Sequence, residues 1–317
     1  MNLPIDTLRR TLAACRGNIL DLRNAAGHAA GHLPGSFSLP YEPELAGLAP
    51  PVLAGWLDEH LPSIYLPPRH EPLLVVAERS DLAAAVAGCL SARGRESVQA
   101  LGLDARDVAA LPADLRRRGR SPDVLWRPPA FLRRWAHLLP PPAAGPVLDL
   151  ACGAGRAAVW LARRGWQVTG VDHQPEALAL AARLAERSGV RLDLRPADLR
   201  RPESLPPGPW AAILLLRFLD RELVRRVPAC LRRGGVVMLE TFRDAPGYIG
   251  NPQPRHRLRA GEAACLWRQI DVAAAADMRE SAGPELLVYE EGFAGDGKPV
   301  AGVVGRWAAP SRRGVVT

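Results

Sequence analysis

The stretch 146–172 constrains the chain more than any other: an apolar run, a glycine turn, an alanine-rich segment and a second apolar run follow one another without interruption. Pro146–Ala151 (PVLDLA) predicts a strand, Arg156–Arg164 a helix stopped at Gly165, and Gln167–Val171 a second strand. The alternation continues with a helix over Pro175–Arg187, Pro175 sitting in its first turn, and a strand over Arg191–Arg195. Trp210–Leu216 is apolar at every position, as a central strand of a parallel sheet should be. A helix over Arg221–Leu231 closed by Gly234-Gly235 and a strand over Val236–Thr241 follow, with weaker strands near Gln269–Ala274 and Val300–Trp307. Strands alternating with helices imply an α/β fold with a mostly parallel sheet covered on both faces.

The turn reads Asp149-Leu150-Ala151-Cys152-Gly153-Ala154-Gly155-Arg156. Glycines there let the backbone come close to a ligand, and the helix that follows presents free N–H groups and the positive end of its dipole. Asp172 ends the next strand, where an acid can accept the ribose hydroxyls of an adenosine-bearing ligand. Asp198 follows the third strand at the same carboxyl edge, along which open α/β sheets bind ligands. The bare Gly153-x-Gly155-x-x-Ala158 pattern equally suits a nicotinamide dehydrogenase. Two features favour another cofactor. Asp149 lies in the strand's last turn, placed to take the ammonium of an amino-acid moiety, and no His/Arg or Tyr/Lys pair suited to hydride transfer stands out.

These residues resemble the class I S-adenosylmethionine-dependent methyltransferases, a Rossmann-like fold with a seven-stranded, mostly parallel sheet. The resemblance covers about 125–307 and is carried by VLDLACGAGRAAVWLARRGWQVTGVD, by Ala197-Asp198-Leu199, by ILLLRFLDRELV and by LRRGGVVMLETF. LWRPPAFL, RFLDREL, ETFR and GNPQPRHRLRAGE are similar to a bacterial small-molecule group related to tellurite-resistance methyltransferases. The resemblance implies S-adenosyl-L-methionine as cofactor and a binding set of Asp149, Ala151, Gly153, Gly155, Arg156, Asp172, His173, Asp198, Leu199 and Arg217. Gly153 and Gly155 pass under the methionine part and Asp149 supports it. Asp172 holds the ribose, Asp198 meets the adenine amino group and Leu199 covers the ring. Arg217 opens the loop that lines the transfer channel; Arg217 and Glu240 are the candidate catalytic residues, and Arg217 with Arg221 could steer an anionic acceptor. Plainer readings stand beside these: Asp198 as a turn cap, His173 as a packed loop residue, Glu240 as a hydrogen-bonding acid at the sheet edge, and Cys152 as a small buried side chain. No metal site is expected.

The first part of the chain follows the same alternation on a smaller scale. Asn18–Leu22 and Leu73–Ala77 predict strands, Asp81–Arg93 a helix capped by Ser80 or Asp81, and Val98–Leu101 a further strand. Residues 18–40, with Asp21-x-Arg23 and Gly31-His32-Leu33-Pro34-Gly35-Ser36, resemble the rhodanese-like (sulfurtransferase) domain, over roughly 5–110. A working member carries a nucleophilic cysteine after its second strand, in a loop whose N–H groups lower the thiol pKa. Here that place reads Val75-Val76-Ala77-Glu78-Arg79-Ser80. No sulfurtransferase activity is therefore expected, and Asp21, Arg23 and His32 are read first as structural, with docking of a protein partner as the second reading. The expected layout is a rhodanese-like domain over 1–115, a Pro/Arg-rich linker with a short helix over 116–145, and a methyltransferase domain over 146–317.

Composition limits the partners. Lys298 is the only lysine, and 40 arginines supply the remaining basic charge. Residues 1–120 carry 13 basic and 13 acidic side chains, whereas 121–317 carry 28 and 20, which accounts for the whole net charge of +8. The arginines are scattered and no basic run is interleaved with aromatics, which argues against a nucleic-acid surface. No apolar stretch approaches the ~20 residues that cross a bilayer, and the N-terminus lacks a secretion signal. Five cysteines without a CxxC pair argue for a reducing compartment, so a cytoplasmic location is expected. The expected function is methyl transfer to a small molecule, such as a thiol, selenium or tellurium compound; the alternatives are an RNA or protein methyltransferase, or a non-catalytic S-adenosylmethionine-binding scaffold.

Overall fold

The computed structural model of the protein describes residues 4–119, 121, 124–268 and 283–308. The chain divides into two compact units, Met1–Arg127 and Pro128–Thr317.

The first unit runs α1 (Ile5–Cys15), β1 (Ile19–Asp21), α2 (Ala25–Ala30), β2 (Ser36–Ser38), α3 (Glu42–Leu45), α4 (Pro50–His60), β3 (Leu73–Ala77), α5 (Ser80–Ala92), β4 (Val98–Gly102) and α6 (Ala105–Ala110). Its sheet has the order β2-β1-β3-β4, and every pairing is parallel. All five residues of β3 are buried, as a strand covered on both faces requires. At the end of β1, Asp21 and Arg23 form a buried pair at 2.7 Å, and Arg23 also donates to the Gly31 carbonyl at 2.9 Å. His28 and His32 stack with ring centroids 4.0 Å apart, and His28 meets the buried Ser36 hydroxyl at 3.0 Å. The head of α5 differs from the expected Ser80 or Asp81 cap. Arg79 is the N-cap and offers no side-chain bond. Glu42 supplies the acceptors instead, taking the Glu78 N–H at 2.8 Å and the Arg79 N–H at 3.2 Å.

The second unit runs α7 (Ala130–Trp135), β5 (Val147–Leu150), α8 (Arg156–Ala162), β6 (Val168–Asp172), α9 (Pro175–Arg187), β7 (Asp193–Pro196), β8 (Trp210–Leu216), α10 (Arg221–Arg226), β9 (Leu231–Phe242), α11 (Glu262–Arg268), β10 (Gly283–Phe293) and β11 (Pro299–Ala308). Among the described residues its sheet has seven strands in the order β10-β11-β9-β8-β5-β6-β7. Strands β5 to β9 pair in parallel, while β11 lies antiparallel to both β9 and β10. This is a mixed α/β unit built on a parallel Rossmann-like sheet. Period-two alternation fills both faces: Ile213 and Leu215 join one core with Leu148 and Leu150, while Ala212, Leu214 and Leu216 join the other with Val147 and Ala158.

Several boundaries differ from expectation for local reasons. The helix from Arg221 ends at Arg226 and tightens into a single turn over Val227–Cys230, because Pro228 has no N–H to continue it. The strand after it begins at Leu231 and runs through Gly234-Gly235 rather than starting beyond them. Its register against β8 shifts between Trp210 and Ala212, which absorbs the glycine pair. The strand expected near Gln269–Ala274 lies outside the described residues. None of the helices among the described residues is long and apolar enough to cross a membrane.

Candidate active site

The direction of strand order reverses between β5 and β8, so the crevice at the carboxyl edge opens there. Two non-glycine residues adopt left-handed backbone beside this opening: Ala151 just after β5, at φ 55°, and Arg217 just after β8, at φ 67°. A side chain rarely takes that conformation, and such strain collects at ligand sites. The sequence carries no signal of it, because neither residue is glycine.

The glycine turn is fixed from both sides. Gly153 (φ 53°) donates its N–H to Asp172 Oδ2 at 2.8 Å, and Asp172 Oδ1 accepts the Gln174 N–H at 3.0 Å. His173 stands beside it, with Nδ1 3.5 Å from Asp172 Oδ1. Gly153 and Gly155 have different jobs. A Cβ on Gly153 would meet nothing within 4 Å, which leaves that side of the turn open, whereas one on Gly155 (φ 77°) would lie 2.7 Å from the Ala181 Cβ. Gly153 thus leaves room at the crevice, and Gly155 lets α8 and α9 approach.

Asp149 is buried on β5, on the same face as Val147 and beneath the start of α8. The Ala158 N–H bonds to its carboxylate, Oδ2 has no partner, and burial followed by the charge of Asp172 pushes its pKa up to about 7. An unpaired buried carboxylate oxygen is costly unless a donor reaches it. The ammonium of an amino-acid moiety is such a donor, so the residues at this turn fit a methionine-bearing cofactor. Arg156 begins α8 and is half-buried. Asp198 is held by Arg200 through Nε–Oδ1 at 2.9 Å and Nη2–Oδ2 at 3.1 Å, which keeps it below the ordinary carboxylate range, and Leu199 beside it is buried. Cys152 packs at Gly170, and burial drives its thiol strongly up, so it is no nucleophile.

On the other side of the crevice, Arg217 Nη2 stands 3.2 Å from Glu240 Oε1. Glu240 is buried and its pKa is raised by that burial, against the pull of Arg217. The pair faces a cavity of about 140 Å³ that Phe131, Arg134, Glu290 and Phe293 also line. Sequence reasoning missed these four, since the hairpin β10–β11 and the helix α7 come together only in the fold. Arg221 does not join Arg217: it is paired with Glu262 at 3.0 Å and bonded to the Arg257 carbonyl. The two guanidiniums expected to steer an anion therefore each already face a carboxylate. Among the described residues no group of three or more His, Cys, Asp or Glu side chains is placed to hold a metal ion.

Residues 147–235, the glycine turn and both flanking acids included, match a family profile described as "Methyltransferase domain". The second unit contains a methyltransferase domain. The cofactor of this domain is S-adenosylmethionine. Relatives of the methyltransferase domain include the ribosomal RNA small subunit methyltransferase C of Alcanivorax borkumensis, 35% identical over 109 residues, which are 32% of this chain and 34% of that protein. They also include a ubiquinone biosynthesis O-methyltransferase of Xanthomonas axonopodis, 30% identical over 110 residues, 33% of this chain and 46% of that one. The chain thus spans between a third and a half of the length of these curated relatives. Among solved structures, TehB from Haemophilus influenzae is similar at 17% identity and a TM-score of 0.42, over 56% of this chain and 60% of that one.

Proposed function

We propose that the protein is an S-adenosylmethionine-dependent methyltransferase acting on a small-molecule acceptor, related to the tellurite-resistance group, with a rhodanese-like first domain that has lost its nucleophile. The proposed layout is a rhodanese-like domain over 1–115, a linker and helix over 116–145 and a methyltransferase domain over 146–317; the helix of that middle stretch belongs to the second compact unit, which begins at Pro128. The observation that carries the reading is the unpaired buried oxygen of Asp149 beside the open face of Gly153.

When bound, the cofactor supplies an electrophilic methyl group on a sulfonium. Asp149 would accept from the ammonium, with Ala151, Gly153, Gly155 and Arg156 shaping the turn around the methionine part. Asp172 would take the ribose hydroxyls beside His173, and Asp198 and Leu199 the adenine. Arg217 and Glu240 would bound the acceptor side, where a buried carboxylate can hold a proton from a hydroxyl or thiol. The chain's contribution is chiefly orientation, which can supply ~7–11 kcal/mol, together with exclusion of water.

Calorimetric titration of S-adenosylmethionine into wild type and Asp172→Ala tests this. Loss of a charged acceptor should weaken binding by ~1.5–3 kcal/mol. Equal affinity in the two proteins, or preferential binding of NAD(H), would overturn the assignment. Methyl transfer to RNA that collapses steeply with salt would move the acceptor class to nucleic acid.

A further inference from the structure

We propose that a second, arginine-lined cavity at the same sheet edge is an anion site, and that it takes a carboxylate or phosphate group carried by the acceptor. Its identity as an acceptor subsite rests on the methyltransferase reading; the binding of an anion does not.

The cavity measures about 540 Å³ and is lined by Arg221, Arg255, Arg257, Arg259, Asp244 and Glu262 among others. Its place is set by the end of β9. The Leu258 N–H donates to the Phe242 carbonyl at 2.8 Å, and the Asp244 N–H to the Leu258 carbonyl at 2.7 Å, so the excursion between them returns to the strand it left. Arg217 and Glu240 border the same carboxyl ends of β8 and β9.

Arg257 organises this excursion. It is buried, donates to the carbonyls of Pro252 at 2.7 Å and Tyr248 at 3.2 Å, and pairs with Asp244 at 3.0 Å. The second acid is also committed: Glu262 pairs with Arg221 and accepts the Arg259 N–H at 2.7 Å. The side chains of Arg255 and Arg259 are exposed and in no ion pair among the described residues; the Arg255 Nε donates to His256 Nε2 at 3.0 Å. Four guanidiniums thus face two carboxylates, and both carboxylates are engaged. A concave site with surplus arginine charge selects an anion, and the planar guanidinium fork matches carboxylate and phosphate oxygens. The space is of the size that small-molecule sites occupy.

The test titrates the full-length chain calorimetrically, at low ionic strength, with inorganic phosphate and separately with succinate. Wild type should bind at least one of them saturably, and Arg255→Ala/Arg259→Ala should bind it at least about tenfold more weakly. A response to phosphate alone assigns a phosphorylated acceptor; a response to succinate alone assigns a carboxylated one. Arg255→Gln/Arg259→Gln, which removes the charge but keeps the Cβ–Cδ stem and a polar end, guards against a misfolded alanine variant and should show the same loss. Binding unchanged in both double variants, or no saturable binding of either anion by wild type, overturns the site. Both double variants should keep wild-type affinity for S-adenosylmethionine, and Asp172→Ala should keep anion binding. Anion binding without any S-adenosylmethionine binding would sink the methyltransferase reading and, with it, the acceptor's identity, while leaving the anion site standing.

Discussion

Arg217 is joined to Glu240 twice: its N–H donates to the Glu240 carbonyl at 2.6 Å, and its guanidinium stands 3.2 Å from the Glu240 carboxylate. The first bond ties the end of β8 to the end of β9 and holds Arg217 in its left-handed backbone. The second sets a positive charge against a carboxylate that burial would otherwise neutralise; the Phe131 N–H helps Arg217, while Glu290 and Asp296 push the same way as burial.

The pair should govern the pH dependence of methyl transfer. The raised pKa of Glu240 delays its ionisation to higher pH than an ordinary glutamate, so a reaction using it as proton acceptor gains rate as pH rises through that raised value. Arg217→Met removes the opposing charge and should shift the profile further upward. Glu240→Gln should flatten it. An unchanged profile in Glu240→Gln would remove Glu240 from the reaction.

Asp149 should make cofactor affinity pH-dependent. With a pKa of about 7, the carboxylate ionises only as pH approaches neutrality. Affinity for a ligand ammonium should therefore rise with pH, by at most about tenfold per unit, and level off above about 7. Asp149→Asn should bind weakly at every pH. The ligand-free protein should show the opposite trend. The folded-state pKa lies above the unfolded value of 3.8, so the unfolded chain releases its proton first, and stability falls between about 4 and about 7. Thermal unfolding of wild type and Asp149→Asn across that range measures the difference.

Gly153 and Gly155 should separate in a denaturation experiment. Gly155→Ala combines a left-handed backbone with a methyl 2.7 Å from Ala181, and should cost ~2–4 kcal/mol. Gly153→Ala meets no neighbour and should cost only ~1–2 kcal/mol. Its larger effect should fall on S-adenosylmethionine binding. Equal losses of stability in urea would contradict the distinction.

The first unit should weaken in mild acid through His28. Burial lowers its pKa to about 4 from 6.5, so between those values the unfolded chain takes up a proton that the folded chain refuses. Stability should fall as pH drops through that window, by on the order of 2–3 kcal/mol. Nuclear magnetic resonance titration of the His28 ring checks the cause; protonation near pH 6.5 in the folded state would refute it.

What was legible in the sequence was whatever the chain encodes contiguously. Trp210–Leu216, Leu73–Ala77 and Pro175–Arg187 have the bounds that their residues announce. The turn at Asp149–Arg156 was legible because glycine is conspicuous. Short elements escaped: Ser36–Ser38 forms a strand only because Ile19–Asp21 offers it a partner. The long antiparallel hairpin β10–β11 was only half seen, since β10 carries Glu285, Glu290 and Glu291 among its apolar residues and does not read as a core strand. At the site, the acids and glycines of one crossover were visible. The pairing of Arg217 with Glu240, and of Arg221 with Glu262, was not, because each joins segments that meet only when the sheet is assembled.

The carboxylate of Glu42 sits on the Glu78 and Arg79 N–H groups. Those groups lie between β3 and α5, where free N–H groups at a helix start favour an anion. The chain has furnished its own occupant for that seat, one that cannot diffuse away. A thiolate introduced beside Ala77 would therefore find these donors already taken. Any incoming anion would first have to displace a tethered competitor, a side chain thirty-six positions upstream of the first donor it occupies.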